Sequence, residues 1–137
     1  MADNISYQQV QAYLNELVPE RPKILQSMEN YAREKSFPII GPAAGELCYQ
    51  IARMMNAHQI FELGSGFGYS TAWFARAVKE NSIHSKDGSG AVHHVVWDEK
   101  LSRQAQQYLG QLGYEGIVEF HVGEAVKTLA NTPGTFD

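Results

Sequence analysis

A glycine-rich segment carries the residues whose types and spacing best suit ligand binding. Residues 62 to 70 read ELGSGFGYS. The segment follows a short apolar run that ends at Phe61 and precedes a helix-like stretch that begins at Thr71. A strand, a glycine turn and a helix in this order bring a ligand to exposed backbone N–H groups. We therefore predict that this turn, including Ser65, is a binding loop.

The spacing of the glycines and the acid in front of them indicate the kind of ligand. Dinucleotide-binding loops usually carry G-x-G-x-x-G and place a pyrophosphate on the helix N-terminus. Here the spacing is G-x-G-x-G at Gly64, Gly66 and Gly68, and Glu62 stands just before it. A carboxylate beside the loop repels a pyrophosphate and attracts an ammonium or sulfonium group. We therefore expect a zwitterionic amino-acid cofactor rather than NAD.

Two further turns carry candidate binding residues. Tyr69 and Ser70 stand at the start of the loop's helix, where free N–H groups and a hydroxyl can hold a carboxylate. For Ser70 the alternative is helix capping. Farther along the chain, Gly123, Glu124 and Ala125 form a predicted strand-to-helix turn.

Asp98 follows the apolar run of residues 92–97 and is a candidate for binding a ribose. Doubly wound folds often place an acid at the end of the second strand, where it accepts hydrogen bonds from ribose hydroxyls. The same carboxylate is equally suited to cap the helix that begins at Glu99. Both roles are compatible with one side chain.

The adjacent histidines His93 and His94 suggest a metal site at first sight. Neighbours on a strand point to opposite faces of a sheet and cannot share a compact site. No acidic or histidine partner stands at ligand spacing nearby in the sequence. We therefore predict no metal ligands and assign no catalytic residue.

Hydrophobic periodicity and turn residues divide the chain into alternating helices and strands. Helices are predicted over residues 6–18, 22–35, 43–56, 70–80, 99–112 and 124–131, and strands over 59–63, 91–97 and 117–122. This order is typical of βαβ units, so the predicted fold class is α/β with a doubly wound, Rossmann-like parallel sheet. Residues 81–90 are polar and turn-rich, which predicts a mobile surface loop.

The chain divides into two parts in this interpretation. Residues 1–37 form an N-terminal helical cap, whose first helix is capped by Ser6 with Gln9 three residues later. Residues 38–137 form the cofactor-binding domain.

Composition excludes several classes of partner. A length of 137 residues suits one domain with a substantial core, and 44% hydrophobic content is typical of globular proteins. A net charge of −4 offers no footprint for nucleic acid or an anionic membrane. The sequence has no apolar run of membrane-spanning length and no signal peptide, so we expect a cytoplasmic location. The single cysteine, Cys48, is expected to be a buried core thiol among Leu47, Ile51, Met54 and Met55.

The loop and its flanks resemble the class I S-adenosylmethionine-dependent methyltransferases, and within them the cation-dependent O-methyltransferases of the catechol and caffeoyl-CoA type. Residues 40–47 (IGPAAGEL) are similar to the segment before the family's first strand, which places Ile40 beside the cofactor. The ending Gly68-Tyr69-Ser70 resembles that of the family's loop, next to the amino-acid end of the cofactor. Residues 122–129 (VGEAVKTL) are similar to the segment that borders the adenine. The resemblance covers roughly residues 38–137.

The resemblance also implies the reaction and its cofactors. S-adenosylmethionine donates a methyl group to a hydroxyl of a small, catechol-like or phenolic acceptor, with help from a divalent cation. The family's ribose acid falls at Val96, two positions before Asp98. Residues 135–137 resemble the start of the family's fourth strand, and the cation ligands would follow it. We therefore expect a chain truncated after the third strand, whose exposed first strand is covered by the tail, by a missing piece or by another copy in a homo-oligomer.

Two other classes of function stay open. A non-catalytic module that binds S-adenosylmethionine, or that serves in assembly, would keep the loop and need no acceptor site. A nucleotide-dependent oxidoreductase is the weaker alternative, because the glycine spacing and Glu62 do not favour NAD.

Overall fold

The computed structural model describes residues 5–83, 85 and 88–137. These residues form six helices and three strands. In chain order the elements are α1 (Tyr7–Glu16), α2 (Lys23–Lys35), α3 (Gly41–Met54), β1 (Gln59–Leu63), α4 (Tyr69–Ser82), β2 (Ala91–Val96), α5 (Glu99–Gln111), β3 (Val118–Val122) and α6 (Ala125–Asn131). No helix of the described part is long and apolar enough to cross a membrane.

The predicted order of helices and strands is confirmed, and each boundary lies within two residues of its prediction. Local signals explain this agreement. The Ser6 hydroxyl accepts a hydrogen bond from the Gln9 N–H, and the Gln9 side chain accepts one from the Ser6 N–H, so the capping box is present. The predicted loop over residues 81–90 starts later than expected, because α4 continues to Ser82. The prediction of mobility for its tip, at 84 and 86–87, lies outside the described residues.

The sheet is parallel, with β2 between β1 and β3. Phe61 pairs with His93, which pairs with Glu119, and Glu62 pairs with His94. Because side chains alternate along a strand, His93 and His94 point to opposite faces of the sheet. The carboxyl ends of all three strands meet at one edge, where open α/β sheets bind ligands.

The main core lies where α2, α4 and α5 meet the sheet. Its largest fully buried side chains include Trp73, Phe67, Met28 and Leu109. Helix α2 contributes Leu25, Met28 and Ala32 to this core, whereas α1 buries no residue. Of the two N-terminal helices, α2 is therefore an integral part of the packing.

Helix α3 does not have the predicted buried face. Leu47, Met54 and Met55 are 57%, 81% and 59% exposed, and Cys48 is half-buried. The helix instead buries Gly45 and Ala52. The expectation of a fully buried thiol was therefore wrong, although burial still raises the pKa of Cys48.

The chain's last residues lie along the outer edge of β1. The Asp137 N–H donates to the Gln59 carbonyl at 2.9 Å, and the Asp137 carboxylate accepts from the N–H groups of His58 and Gln59 at 2.7 and 2.9 Å. These two hydrogen bonds lower the pKa of Asp137. Phe136 packs edge-on against Phe61. The tail therefore covers the beginning of the β1 edge, one of the outcomes that the sequence predicted.

Gly45 should be intolerant of a side chain. A Cβ there would lie 2.3 Å from Nε1 of the buried Trp73 ring, which cannot move aside cheaply. We expect Gly45→Ala to lower the free energy of unfolding by about 1–3 kcal/mol, measured by urea denaturation.

Gly110→Ala is the matched control for this substitution. Gly110 also lies in a helix, but the nearest neighbour of its added Cβ would be 3.9 Å away. This substitution should stabilise the protein by up to about 1 kcal/mol, because alanine has the higher helix propensity. Equal effects of the two substitutions would contradict the packing of α3 on α4.

Candidate functional site

The glycine loop joins the carboxyl end of β1 to the start of α4. Gly64 and Gly68 have φ angles of +96° and +91°, which side-chain-bearing residues rarely adopt. A Cβ on Gly64 would meet no atom within 4 Å, whereas one on Gly68 would lie 3.0 Å from the Ala105 Cβ. Gly64 therefore leaves open space for a ligand, and Gly68 allows α5 to approach closely.

A cavity of about 330 Å³ lies in front of this loop. Six of the residues predicted from the sequence line it: Ile40, Gly64, Ser65, Gly66, Tyr69 and Ser70. The segment before α3 forms the opposite wall with Phe37, Pro38 and Ile39, which sequence reasoning did not identify. The structure thus brings the loop and residues 37–40 together around one space.

Ser65 fixes the loop to the central strand. Its N–H donates to the Val95 carbonyl at 2.8 Å, and its hydroxyl accepts from the Val95 N–H at 3.0 Å. Val95 is also the last residue of β2 that pairs with β1. The two bonds therefore hold the loop in place against the end of that pairing.

The Glu62 carboxylate lies beneath the loop and is only 8% exposed. Burial raises its pKa to about 7, although the hydrogen bond from Thr71 and the hydroxyls of Ser70 and Ser65 favour the charged form. Glu62 is thus hydrogen-bonded to the first turn of α4 through the Thr71 hydroxyl. Its electrostatic effect on a ligand acts from below the loop.

Ser70 does not cap α4. The N-cap residue is Gly68, and no side chain accepts a hydrogen bond from the helix start. The capping alternative for Ser70 was therefore wrong, because the helix begins one residue earlier than predicted. The N–H groups of the first turn have no partner within the helix and are suited to a carboxylate or another anion.

Sequence reasoning missed the buried pair Thr71 and His94. The Thr71 hydroxyl donates to the Glu62 carboxylate and lies 3.1 Å from His94 Nδ1. Because that hydroxyl has one proton to donate, His94 Nδ1 carries the proton of the second bond. Burial lowers the pKa of His94 to about 4, so the ring is neutral near pH 7.

Tyr69 has a structural role that the sequence did not predict. Its side chain is buried, and its hydroxyl donates to the Glu29 carboxylate at 2.8 Å. Arg21 donates two hydrogen bonds to the same carboxylate, at 2.6 and 2.9 Å. Burial and the Glu29 carboxylate raise the pKa of Tyr69, so its hydroxyl stays protonated. This contact joins α2 to the start of α4, and a role of Tyr69 in ligand binding stays a prediction.

A second cavity, of about 640 Å³, opens at the ends of β2 and β3. Gly123 and Glu124 line it together with Trp97, which is largely exposed. The Glu124 carboxylate accepts hydrogen bonds from the N–H groups of Val126 and Lys127, so it caps α6, and Ala125 is the first residue of that helix.

Asp98 caps α5 and is not among the lining residues of either cavity. Its carboxylate accepts hydrogen bonds from the N–H groups of Lys100 and Leu101 at 2.7 and 3.3 Å. The capping role is confirmed, and the ribose contact stays a prediction.

His93 has the partners that the sequence did not reveal. Its Nδ1 lies 3.0 Å from Nε2 of His121 and 3.5 Å from a carboxylate oxygen of Glu119, both on β3. The expectation that no acid or histidine stands near His93 was therefore wrong. Pairing between strands brings together residues 26 and 28 positions apart. Desolvation lowers the pKa of His93, while Glu119 partly opposes this effect.

A parallel α/β sheet with a glycine loop at the carboxyl end of its first strand defines a Rossmann-like protein. Known proteins with this fold are similar to this one over most of its chain. Residues 61–137 match the family described as "Methyltransferase domain". Catechol O-methyltransferase of Niastella koreensis is 28% identical over 129 residues, which cover 93% of this chain and 55% of that protein.

Two solved structures extend the comparison. A methyltransferase from Geobacter sulfurreducens is 29% identical with a TM-score of 0.78, and the match covers 93% of this chain and 63% of that one. The O-methyltransferase TomG from Streptomyces achromogenes, involved in tomaymycin synthesis and solved in complex with SAM, is 30% identical with a TM-score of 0.77. That match covers 93% of this chain and 56% of TomG.

The chain belongs to this methyltransferase family and has its class I, Rossmann-like fold. It spans little more than half the length of the curated relative.

The buried Glu62 carboxylate should make stability depend on pH. A carboxyl whose pKa is raised in the folded state binds more protons there than in the unfolded state. Stability should therefore fall as pH rises from about 4.5 to about 7, by at most about 3 kcal/mol, and this contribution should be constant above pH 7.

Glu62→Gln isolates this contribution, because the amide keeps the shape without the titration. The measurement is the free energy of unfolding in urea at several pH values for both proteins. Between pH 4.5 and pH 7, the free energy of unfolding should fall by less in the variant than in the unsubstituted protein. Parallel pH curves would show that Glu62 titrates normally.

Proposed function

We propose that this chain is the cofactor-binding portion of an S-adenosylmethionine-dependent O-methyltransferase. The proposal rests on the cavity in front of the glycine loop. There the empty space beside Gly64 adjoins the start of α4, which no side chain caps. The relatives named as O-methyltransferases, one of them solved with SAM, support the same cofactor.

The amino-acid end of the cofactor fits the chemistry of the loop cavity. Its carboxylate would accept hydrogen bonds from the free N–H groups at the start of α4, beside Tyr69 and Ser70. Its ammonium and sulfonium groups are cationic, so they gain from the carboxylate of Glu62 below the loop when that group is ionised. A pyrophosphate would be repelled by the same carboxylate, which disfavours NAD.

The remainder of the cofactor would extend toward the second cavity. The adenosine would lie along the carboxyl ends of β2 and β3, where Trp97, Gly123 and Glu124 line the space. Since the carboxylates of Asp98 and Glu124 already accept backbone hydrogen bonds, each would contact the cofactor through a remaining lone pair. Ile40 would close the loop cavity from the side of α3.

Methyl transfer requires alignment more than it requires a covalent intermediate. An acceptor hydroxyl oxygen attacks the methyl carbon as the bond from that carbon to sulfur breaks, the sulfonium becomes a neutral thioether, and the hydroxyl proton leaves. The contribution of the loop is to hold the sulfonium in a fixed orientation. We assign residues 38–137 to this task and propose a small catechol-like or phenolic acceptor for the whole protein.

The resemblance implies a divalent cation of the Mg²⁺ type, and the donors found in the described residues do not suit it. Within residues 5–83, 85 and 88–137, the one group of three that could hold a metal consists of His93, Glu119 and His121. Mg²⁺ prefers oxygen ligands, whereas this group offers two imidazoles. We therefore derive no step through a cation. The cytoplasmic location and the homo-oligomer stay predictions.

Gly64→Ala tests the loop cavity directly. The added methyl would extend into the open space without striking the protein, so it should obstruct the ligand. We expect at least about a tenfold loss of affinity for S-adenosylhomocysteine and S-adenosylmethionine in isothermal titration, which is about 1.4 kcal/mol.

Gly134→Ala is the control, because Gly134 also has a positive φ and open space at its Cβ but lies outside the cavity. It should carry a similar backbone penalty and leave the affinity unchanged. Absence of binding by folded protein, or preference for NAD, would refute the proposed cofactor. Tight binding by a full-length protein that transfers no methyl group would instead favour the non-catalytic module.

A further inference from the structure

We propose that His93, Glu119 and His121 form a binding site for a divalent transition metal ion of the Zn²⁺ type, bridging β2 and β3. The site is distinct from the loop cavity, although Glu119 and His121 also line the second cavity, toward which the adenosine is proposed to extend. It uses three side chains that the loop cavity does not use, on the sheet face opposite to Glu62, Thr71 and His94.

Strand register places the three side chains together. His93 on β2 pairs directly with Glu119 on β3. His121 lies two residues beyond Glu119, so its side chain projects from the same face of the sheet. The site is therefore produced by two ordinary parallel strands and needs no special loop.

The separations of the donor atoms approach those of a tetrahedral zinc site. One donor atom from each residue can be chosen so that all three lie within 4.8 Å of one another. His93 Nδ1 is 3.0 Å from His121 Nε2 and 3.5 Å from a Glu119 oxygen. Ligands at about 2.0–2.1 Å around tetrahedral Zn²⁺ are about 3.4 Å apart. The planes of the two rings are inclined by only 17°, so the half-exposed His121 ring must turn for both nitrogens to face one ion.

Two imidazoles and one carboxylate are a donor set that Zn²⁺ uses when a fourth position stays open. Without a metal, the two rings can share one N–H···N hydrogen bond, so one of the two facing nitrogens carries a proton. For both facing nitrogens to bind a metal, that proton must move to the other nitrogen of its ring. This is a change of tautomer and leaves the charge of the ring unchanged. The two positive charges of the bound ion would then be balanced in part by one negative charge, that of the Glu119 carboxylate.

The surroundings combine a fixed ligand with access from solvent. His93 is 6% exposed, and its ring stacks on Phe61 and contacts Phe136 edge-on. Glu119 and His121 line the second cavity, through which an ion can enter. Packing therefore orients one ligand in advance, and the other two can adjust.

Equilibrium dialysis with Zn²⁺, followed by elemental analysis, tests the stoichiometry. We expect one Zn²⁺ per chain, no comparable binding of Mg²⁺, and a rise in Tm of roughly 5–10 °C when Zn²⁺ is about 100 times its Kd. Co²⁺ should replace Zn²⁺ and give the strong visible absorption of a tetrahedral nitrogen and oxygen site.

His121→Ala and Glu119→Gln remove one ligand each and should weaken Zn²⁺ binding by at least about tenfold, with loss of the Co²⁺ band. His58→Ala is the matched control, since it removes a half-buried histidine that precedes β1 and lies outside the cluster. It should change neither readout. Circular dichroism checks that each variant is folded, and the exposed Glu119 gives a variant that leaves the core intact.

Zn²⁺ binding that is absent from the folded protein would overturn the proposed site. So would binding that His121→Ala and Glu119→Gln leave intact, or that His58→Ala weakens as much as they do.

Discussion

The buried carboxylate of Glu62 is the constraint on which the binding loop depends. A charge at this depth is costly, and its raised pKa reflects that cost. The Thr71 hydroxyl offsets the cost by donating a hydrogen bond to it, and the hydroxyls of Ser65 and Ser70 also favour the charged form. Because these groups belong to the loop and the first turn of α4, one carboxylate joins the strand end, the turn and the helix start. A different path for the loop would leave Glu62 buried without partners.

The start of α4 is held from a second side by the hydrogen bond from Tyr69 to Glu29, a carboxylate that also accepts from Arg21. This contact makes α2 a support of the loop cavity, although no residue of α2 lines that cavity. A helix start that is fixed on two sides and left uncapped has N–H groups whose directions are set before a ligand arrives. Such preorganisation reduces the entropy that binding must otherwise remove.

The features predicted correctly from the sequence are those with local signals. The order of elements follows from hydrophobic periodicity, and the caps by Ser6 and Asp98 act within three residues. The missed features depend on tertiary packing. Thr71 and His94 are 23 residues apart, and the exposure of α3 depends on which of its faces α4 covers. Periodicity identifies an apolar face but not the element that will cover it.

The two adjacent histidines of β2 show how one strand can serve two faces. His94 completes the hydrogen-bonded network below the loop, and His93 meets Glu119 and His121 on the other side. The next residue, Val95, accepts a hydrogen bond from the Ser65 N–H and donates one to the Ser65 hydroxyl, so a shift of β2 would also shift the loop. A metal ion that joined β2 to β3 would restrain that shift. If the metal changes the affinity of the loop cavity for its ligand, thermodynamic linkage requires that the ligand change the affinity for the metal by the same factor.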